Sequence, residues 1–112
     1  MLPSFYPAQD GIDVVAEFRA FIEATNRAGA ETLGELGDLQ TQGSFRDIPR
    51  EDDKATNVTN LFCRKRKGWF VFYTARRLPF RITVLHVCKP KNEAAAQVAE
   101  AEAARRMRRL AD

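Results

Sequence analysis

The chain lacks several features that mark well-defined classes of protein. No apolar run in its 112 residues approaches the ~18 residues that a membrane-spanning helix needs, so we expect no membrane partner. The amino terminus has neither the basic segment nor the apolar core of a secretory signal, which predicts an intracellular, cytoplasmic protein. No internal repeat is visible, and the length suits a single domain over residues 1–112.

Cysteine and histidine are scarce. Cys63 and Cys88 stand 25 residues apart, and neither has a second cysteine two to four residues away, as a zinc site would require. Two small buried thiols in a reducing compartment are the simplest interpretation. His86 is the single histidine. A Cys88–His86 nucleophile is a minor alternative, because nothing in the sequence fixes the distance between the two side chains. We expect no metal and no cofactor.

Charge of both signs is present, but it is divided unequally along the chain. Residues 1–60 hold five Lys/Arg against eleven Asp/Glu, a formal balance of −6. Residues 61–112 hold thirteen against four, a balance of +9. Aromatic residues lie between the basic runs of this second half. A basic, aromatic, strand-rich segment favours a polyanionic partner, most plausibly nucleic acid, although simple solvation of the charges is an equal alternative.

The acidic half predicts a helical hairpin. Asp13 is a good N-cap, apolar residues follow it at helical spacing, and Gly29 is the expected end of this first helix. Residues 30–41 carry leucines three apart and predict a second, short helix. An edge strand at residues 5–6 precedes the hairpin, and a short strand around residues 44–48 is an open alternative after it.

The basic half begins with strands. Three are predicted, over residues 58–64, 69–74 and 81–88, and short turns join them into an antiparallel meander. The segment 69–74 is an almost continuous apolar run. Such a run is typical of a central strand that is buried on both faces.

A last helix is predicted over residues 93–111, where Ala, Glu and Arg dominate and Asn92 is the expected N-cap. Glu102 and Arg106 stand four residues apart in the order that favours an ion pair. Val98 is the single large apolar residue before its last turns, which predicts weak docking. The elements together predict an α+β fold, with a helical hairpin and a C-terminal helix packed on a small antiparallel β-sheet.

Short strings along the chain resemble one known group of proteins. They are Phe5-Tyr6 with Gly11 and Val15-x-Glu17-Phe18, then Asn60-Leu61-Phe62-Cys63-Arg64 through Gly68, then Trp69-Phe70-Val71-Phe72-Tyr73, and finally Val84-Leu85-His86-Val87-Cys88-Lys89-Pro90-Lys91. In order and spacing they resemble the RelE/ParE/HigB superfamily of bacterial toxins, most closely its phage-derived HigB-like subfamily. The resemblance implies a RelE-like fold over nearly the whole chain.

The resemblance also implies a function. It implies the toxin of a type II toxin–antitoxin system, a ribosome-dependent, metal-independent mRNA endoribonuclease whose partners are a cognate antitoxin, mRNA and the ribosome. In that chemistry, cations stabilise the charge that builds on the phosphate as the 2′-hydroxyl attacks, and an imidazole can move protons. The catalytic candidates are His86, Lys89, Lys91 and Arg81. The candidate contacts to nucleic acid are Arg64, Lys65, Arg66, Lys67, Arg76 and Arg77.

Three positions depart from the pattern of these toxins. Phe70 stands where many members carry an arginine, no tyrosine follows Tyr73, and Pro90 interrupts the basic run after the last strand. Two alternatives therefore stay open: a non-catalytic module that binds nucleic acid or a protein on the same fold, and a ParE-like inhibitor of DNA gyrase. The basic end of the last helix is either a solvated, dipole-favoured terminus or a contact for phosphate or antitoxin.

Overall fold

A computed structural model describes residues 2–42, 56–77 and 79–110. In chain order the elements are β1 (Ser4–Phe5), α1 (Val14–Thr25), α2 (Arg27–Gln42), β2 (Leu61–Arg66), β3 (Trp69–Arg77), β4 (Phe80–Cys88) and α3 (Glu93–Leu110). The predicted α+β class is confirmed. No helix among these residues has the length and apolarity needed to cross a membrane. The strand considered around residues 44–48 lies outside the described residues.

The four strands form one sheet in the order β1-β4-β3-β2. The predicted meander is confirmed, since β2 pairs with β3 and β3 with β4 in antiparallel fashion. Lys67 and Gly68 make the first tight turn, with φ of 53° and 81°. The prediction of a wholly antiparallel sheet is wrong, because β1 pairs in parallel with β4. A two-residue strand carries no local signal of its direction, and only the return of the chain through the hairpin sets it.

The helical hairpin bends at a different residue from the one predicted. α1 ends at Thr25 with Asn26 as its C-cap, which adopts φ 53°, and α2 begins at Arg27. Gly29 lies inside α2, where an added Cβ would stand 2.6 Å from the Cα of Ile22. The glycine therefore permits the close approach of the two helices, while asparagine, which tolerates a positive φ, makes the break.

The sheet is covered on both faces. On one face Trp69 of β3 stacks on Phe21 of α1, with ring centroids 5.3 Å apart. On the other face Phe70 and Phe72 line a groove together with Ala96 of α3. The middle of β3 is buried throughout, which confirms its prediction as a central strand.

Helix α3 docks through small residues. Ala99, Ala103 and Ala104 are buried, whereas Val98 is 69% exposed. The side chain of Arg106 is also buried, at 5% exposure of the residue. The expectation of weak docking, which counted only large apolar residues, missed that alanines let a helix lie close to a sheet.

A β-bulge interrupts the pairing of β3 with β4. Phe72 faces His86 and Tyr73 faces Val84, so that Leu85 is an extra residue in β4. Simple alternation along β4 would put His86 on the same face as Val84, but the two residues face opposite sides of the sheet. The bulge turns His86 to the face of Phe72, because one inserted residue reverses the side of every residue beyond it.

Candidate functional site

The outer edge of β4 is paired with a strand only in part. β1 covers Thr83 and Val84, and among the described residues no strand continues along the edge. Beyond β1, two side chains form hydrogen bonds with the backbone of β4 in place of a neighbouring strand. Arg106 Nη1 donates to the carbonyl oxygen of Leu85 at 2.9 Å, and the backbone N–H of Val87 donates to Glu17 Oε1 at 2.9 Å. Side chains from α3 and α1 thus satisfy backbone groups that would otherwise lack a partner.

The same two side chains bind each other. Arg106 Nη1 lies 3.1 Å from Glu17 Oε2, and Arg106 Nε donates to Glu102 Oε2 at 2.8 Å. Arg105 Nη2 donates to that Glu102 oxygen at 2.6 Å. We name Glu17, Glu102 and Arg106 the edge clamp. The clamp joins α1, β4 and α3, and it supplies a buried guanidinium with two carboxylates.

His86 is attached to the edge clamp. Its Nδ1 lies 2.9 Å from Glu17 Oε1, and its ring stacks on Phe72 at 6.3 Å between centroids. The side chain is 16% exposed. Within the described part of the chain Nε2 makes no hydrogen bond. A carboxylate on Nδ1 fixes the ring and the tautomer, and it leaves Nε2 as the nitrogen that can exchange a proton with a ligand.

The charge states of the neighbouring groups fit this arrangement. Burial raises the pKa of Glu17, but hydrogen bonds from His86 and Val87 and the positive charge of Arg106 outweigh it, so that the pKa is lowered. Glu17 is therefore an ionised acceptor at neutral pH. Burial, together with the negative charge of Glu17, raises the pKa of the Cys88 thiol to about 11. A protonated thiol is a poor nucleophile, and this argues against the Cys88–His86 alternative.

Exposed lysines gather at the end of the sheet to which β4 runs. Lys89 follows β4 and its Cε lies near Gly68, where an added Cβ would be 3.4 Å away. Lys65 Nζ lies 4.7 Å from the centroid of the Phe70 ring. We name this group the lysine rim, and it consists of Lys65, Lys67, Lys89 and Lys91. Lys89 is three residues beyond His86, or about 10 Å along an extended chain.

Arg81 lies elsewhere. It stands five residues before His86, about 16 Å away along β4, and faces Arg76 across the hairpin. Arg76 Nη2 donates to the carbonyl oxygen of Leu110, at the end of α3, at 2.7 Å. Lys89 and Lys91 therefore follow the end of β4 beyond His86, whereas Arg81 lies at the start of the same strand. Arg77 ends β3, and its side chain lies outside the described part of the structure.

Two of the candidate contacts to nucleic acid face the helical hairpin. Arg64 is 0% exposed, and its Nη1 donates to Glu35 Oε1 at 2.9 Å. Arg66 Nη2 lies 3.3 Å from the same oxygen. These cations tie β2 to α2, and Arg64 is a core residue with no surface to offer a ligand.

Sequence reasoning missed the edge clamp. It found the pairing of Glu102 with Arg106, four residues apart, which the structure confirms. It gave Glu17 no partner, because the contact of Glu17 with Arg106 spans 89 residues. No local pattern reports a contact of that separation.

Neither a search for metal sites nor comparison with known proteins assigns a function to the chain. Among residues 2–42, 56–77 and 79–110, no group of three or more His, Cys, Asp or Glu side chains could hold a metal ion. No protein-family model, curated protein or solved structure matches the chain.

Proposed function

We propose that the protein is the toxin of a toxin–antitoxin pair, an endoribonuclease that cleaves mRNA on the ribosome and that a cognate antitoxin neutralises. The observation that carries this proposal is the carboxylate-held imidazole of His86 on a strand that leads into Lys89 and Lys91. The order of elements supports it too, since a short strand, two helices, three strands and a last helix agree with what the resemblance implies.

The proposed chemistry uses the free nitrogen of His86. Glu17 accepts from Nδ1, so that Nε2 is the base that removes the proton of the 2′-hydroxyl. The 2′-oxygen then forms a bond to phosphorus, and the bond from phosphorus to the 5′-oxygen breaks. A protonated side chain, the new imidazolium or a rim lysine, gives the leaving 5′-oxygen its proton. The ammonium groups of Lys89 and Lys91 stabilise the charge that builds on the phosphate.

A groove beside the lysine rim suits a nucleotide base. It measures about 270 Å³ and lies between α3 and the sheet, with Phe70 and Phe72 as aromatic lining. Asn57 and Gln97 offer amide groups there, and Lys65 stands over the Phe70 ring. Glu93 and Glu100 also line the groove, and their carboxylates can accept from the amino group of a base but would repel a phosphate. An aromatic ring with amides beside it can stack a base and bind its edge.

A second function has an observation in its favour. The His86 side chain is only 16% exposed, and Phe70 stands where many of the resembling toxins carry an arginine. A non-catalytic module that binds nucleic acid or a protein would need neither an accessible imidazole nor that cation. In this case the contact of His86 with Glu17 only stabilises the fold.

Induced expression in a bacterial host, with growth and mRNA 5′-ends followed together, tests the proposal. We expect growth arrest with new 5′-ends inside translated codons. Arrest with intact mRNA would indicate gyrase or another target, and unimpaired growth would favour the binding module.

His86→Asn is the informative variant for the mechanism. The asparagine amide can donate to Glu17 as Nδ1 does, but it offers no proton-accepting nitrogen in place of Nε2. We expect cleavage to fall by about 10²–10⁴-fold while the fold is kept. Arg19→Gln, an exposed change on α1, is the control and should cleave as the wild type does. Undiminished cleavage by His86→Asn would remove His86 from the mechanism.

A further inference from the structure

The start of β4 carries positive charge that no carboxylate balances among the residues that the structure describes. Arg76 and Arg81 are directly opposite in the pairing of β3 with β4, and both are exposed. Within the described part of the chain, neither forms an ion pair with an acidic side chain. Like charges in directly opposed positions destabilise a sheet. An anion that bound between them would relieve this repulsion.

A groove of about 250 Å³ lies beside these two arginines. We name it the arginine groove, and its lining residues are Ser4, Phe5, Pro7, Arg76, Arg81, Thr83 and Leu110. None of these residues is acidic. Arg76 is anchored to the Leu110 carbonyl through Nη2 and retains its other N–H donors. The hydroxyls of Ser4 and Thr83 make no hydrogen bond among the described residues and can donate as well.

We propose that the arginine groove binds a phosphate group carried by a nucleotide. Guanidinium groups bind phosphate oxygens in bidentate fashion and stay charged at any relevant pH. Phe5, Pro7 and Leu110 form an apolar part of the lining. A free phosphate ion would gain nothing from this apolar surface, whereas the sugar or base of a nucleotide can pack against it. The site goes beyond the proposed cleavage, because it lies about 16 Å from His86 along β4 and binding there needs no imidazole.

Backbone amide shifts of the isotope-labelled full chain provide the test. Inorganic phosphate, adenosine 5′-monophosphate and a short 5′-phosphorylated oligoribonucleotide are titrated separately. We expect each to shift the amides of Ser4, Arg81 and Thr83, and we expect the two nucleotide probes to bind more tightly than inorganic phosphate. Equal affinity of inorganic phosphate and the nucleotides would overturn the assignment to a nucleotide. No shift at these amides with any probe would overturn the site.

Matched variants separate the groove from general electrostatics. Arg81→Gln should raise the Kd of the monophosphate at least tenfold, whereas Arg19→Gln, which removes one exposed charge from α1, should change it less than twofold. Arg81→Lys keeps the charge but loses the bidentate geometry, and it should weaken binding severalfold. Equal weakening by Arg81→Gln and Arg19→Gln would contradict the proposal. His86→Asn should bind the monophosphate as the wild type does, so that loss of cleavage and loss of this site are distinguishable.

Discussion

The arginines at the two ends of β4 have opposite environments. At the Leu85–Val87 end Arg106 is buried between the carboxylates of Glu17 and Glu102. At the other end Arg76 and Arg81 face each other, exposed and without a carboxylate among the described residues. The difference shows that a basic run in a sequence does not by itself mark a ligand site. An arginine stabilises the fold where a carboxylate reaches it, whereas Arg76 and Arg81, which no described carboxylate reaches, stay exposed.

Removal of the buried guanidinium of Arg106 should destabilise the Leu85–Val87 end of β4, which we call the compensated end because carboxylates balance its arginine. Arg106→Ala removes the donor to Glu17 Oε2 and to the Leu85 carbonyl, and we expect the free energy of unfolding to fall by about 3 kcal/mol or more. Urea denaturation measures this change. Arg108→Ala, an exposed position on the same helix, should stay within about 0.5 kcal/mol of the wild type. Similar losses in the two variants would contradict the distinction between the ends.

Removal of the charge on the other side should cost less. Glu17→Gln keeps an oxygen that can accept from the N–H of Val87, but it removes the negative charge that faces Arg106. We expect a loss of about 1–3 kcal/mol in the same urea experiment. Glu23→Gln, an exposed change on the same helix, serves as the control. A loss as large for Glu23→Gln would mean that only the charge of α1 matters.

Acid should weaken the compensated end selectively. The hydrogen bond from Arg105, with that from Arg106, lowers the pKa of Glu102 from 4.5 to about 2. A carboxylate whose folded pKa is depressed stabilises the fold fully above its unfolded pKa and loses this contribution as pH falls through the folded pKa. In urea denaturation the free energy of unfolding of the wild type should exceed that of Glu102→Gln by about 1 kcal/mol at pH 7. This difference should vanish as pH falls from 4.5 towards 2. A difference that stayed constant over that range would exclude Glu102 as its source.

At the start of β4, the uncompensated end, loss of an arginine should raise the free energy of unfolding, and this change should be the smallest of the four. Arg81→Gln removes one of two like charges in opposed positions, so we expect a gain of about 0.2–1 kcal/mol in unfolding free energy. Arg81→Lys retains the charge and should show no such gain. Thermal or urea unfolding in phosphate-free buffer measures it, and added phosphate should reduce the gain by stabilising the wild type. A loss of stability in Arg81→Gln would show that Arg81 supports the fold instead.

Local features of the fold were predictable from the sequence. The N-caps are confirmed, since Ala16 N–H donates to Asp13 at 3.0 Å and Ala95 N–H donates to Asn92 at 2.8 Å. The three long strands and the last helix occur where the patterns predict them, within a few residues. Caps, turns and periodicity act over one or two turns of chain, so that a short window of sequence contains their causes.

The sequence predicted candidate residues for the site but not the contacts that hold them. Sequence analysis selected His86, Lys89 and Lys91, and the two lysines lie in the connection that follows the strand of His86. It could not find that His86 is held by Glu17, because that contact spans 69 residues. It also grouped Arg64 with the surface cations, although Glu35 of α2 draws it into the core.

The sequence by itself determined the type and order of the elements, because capping, turn chemistry and hydrophobic period are properties of adjacent residues. Only the tertiary structure decided the parallel pairing of β1, the bulge at Leu85 and the partners of each arginine. These depend on which carboxylate or backbone group arrives from a distant segment. The energy of a charge depends on that partner far more than on its neighbours in the chain, and so the roles of Arg64, Arg81 and Arg106 were settled by packing.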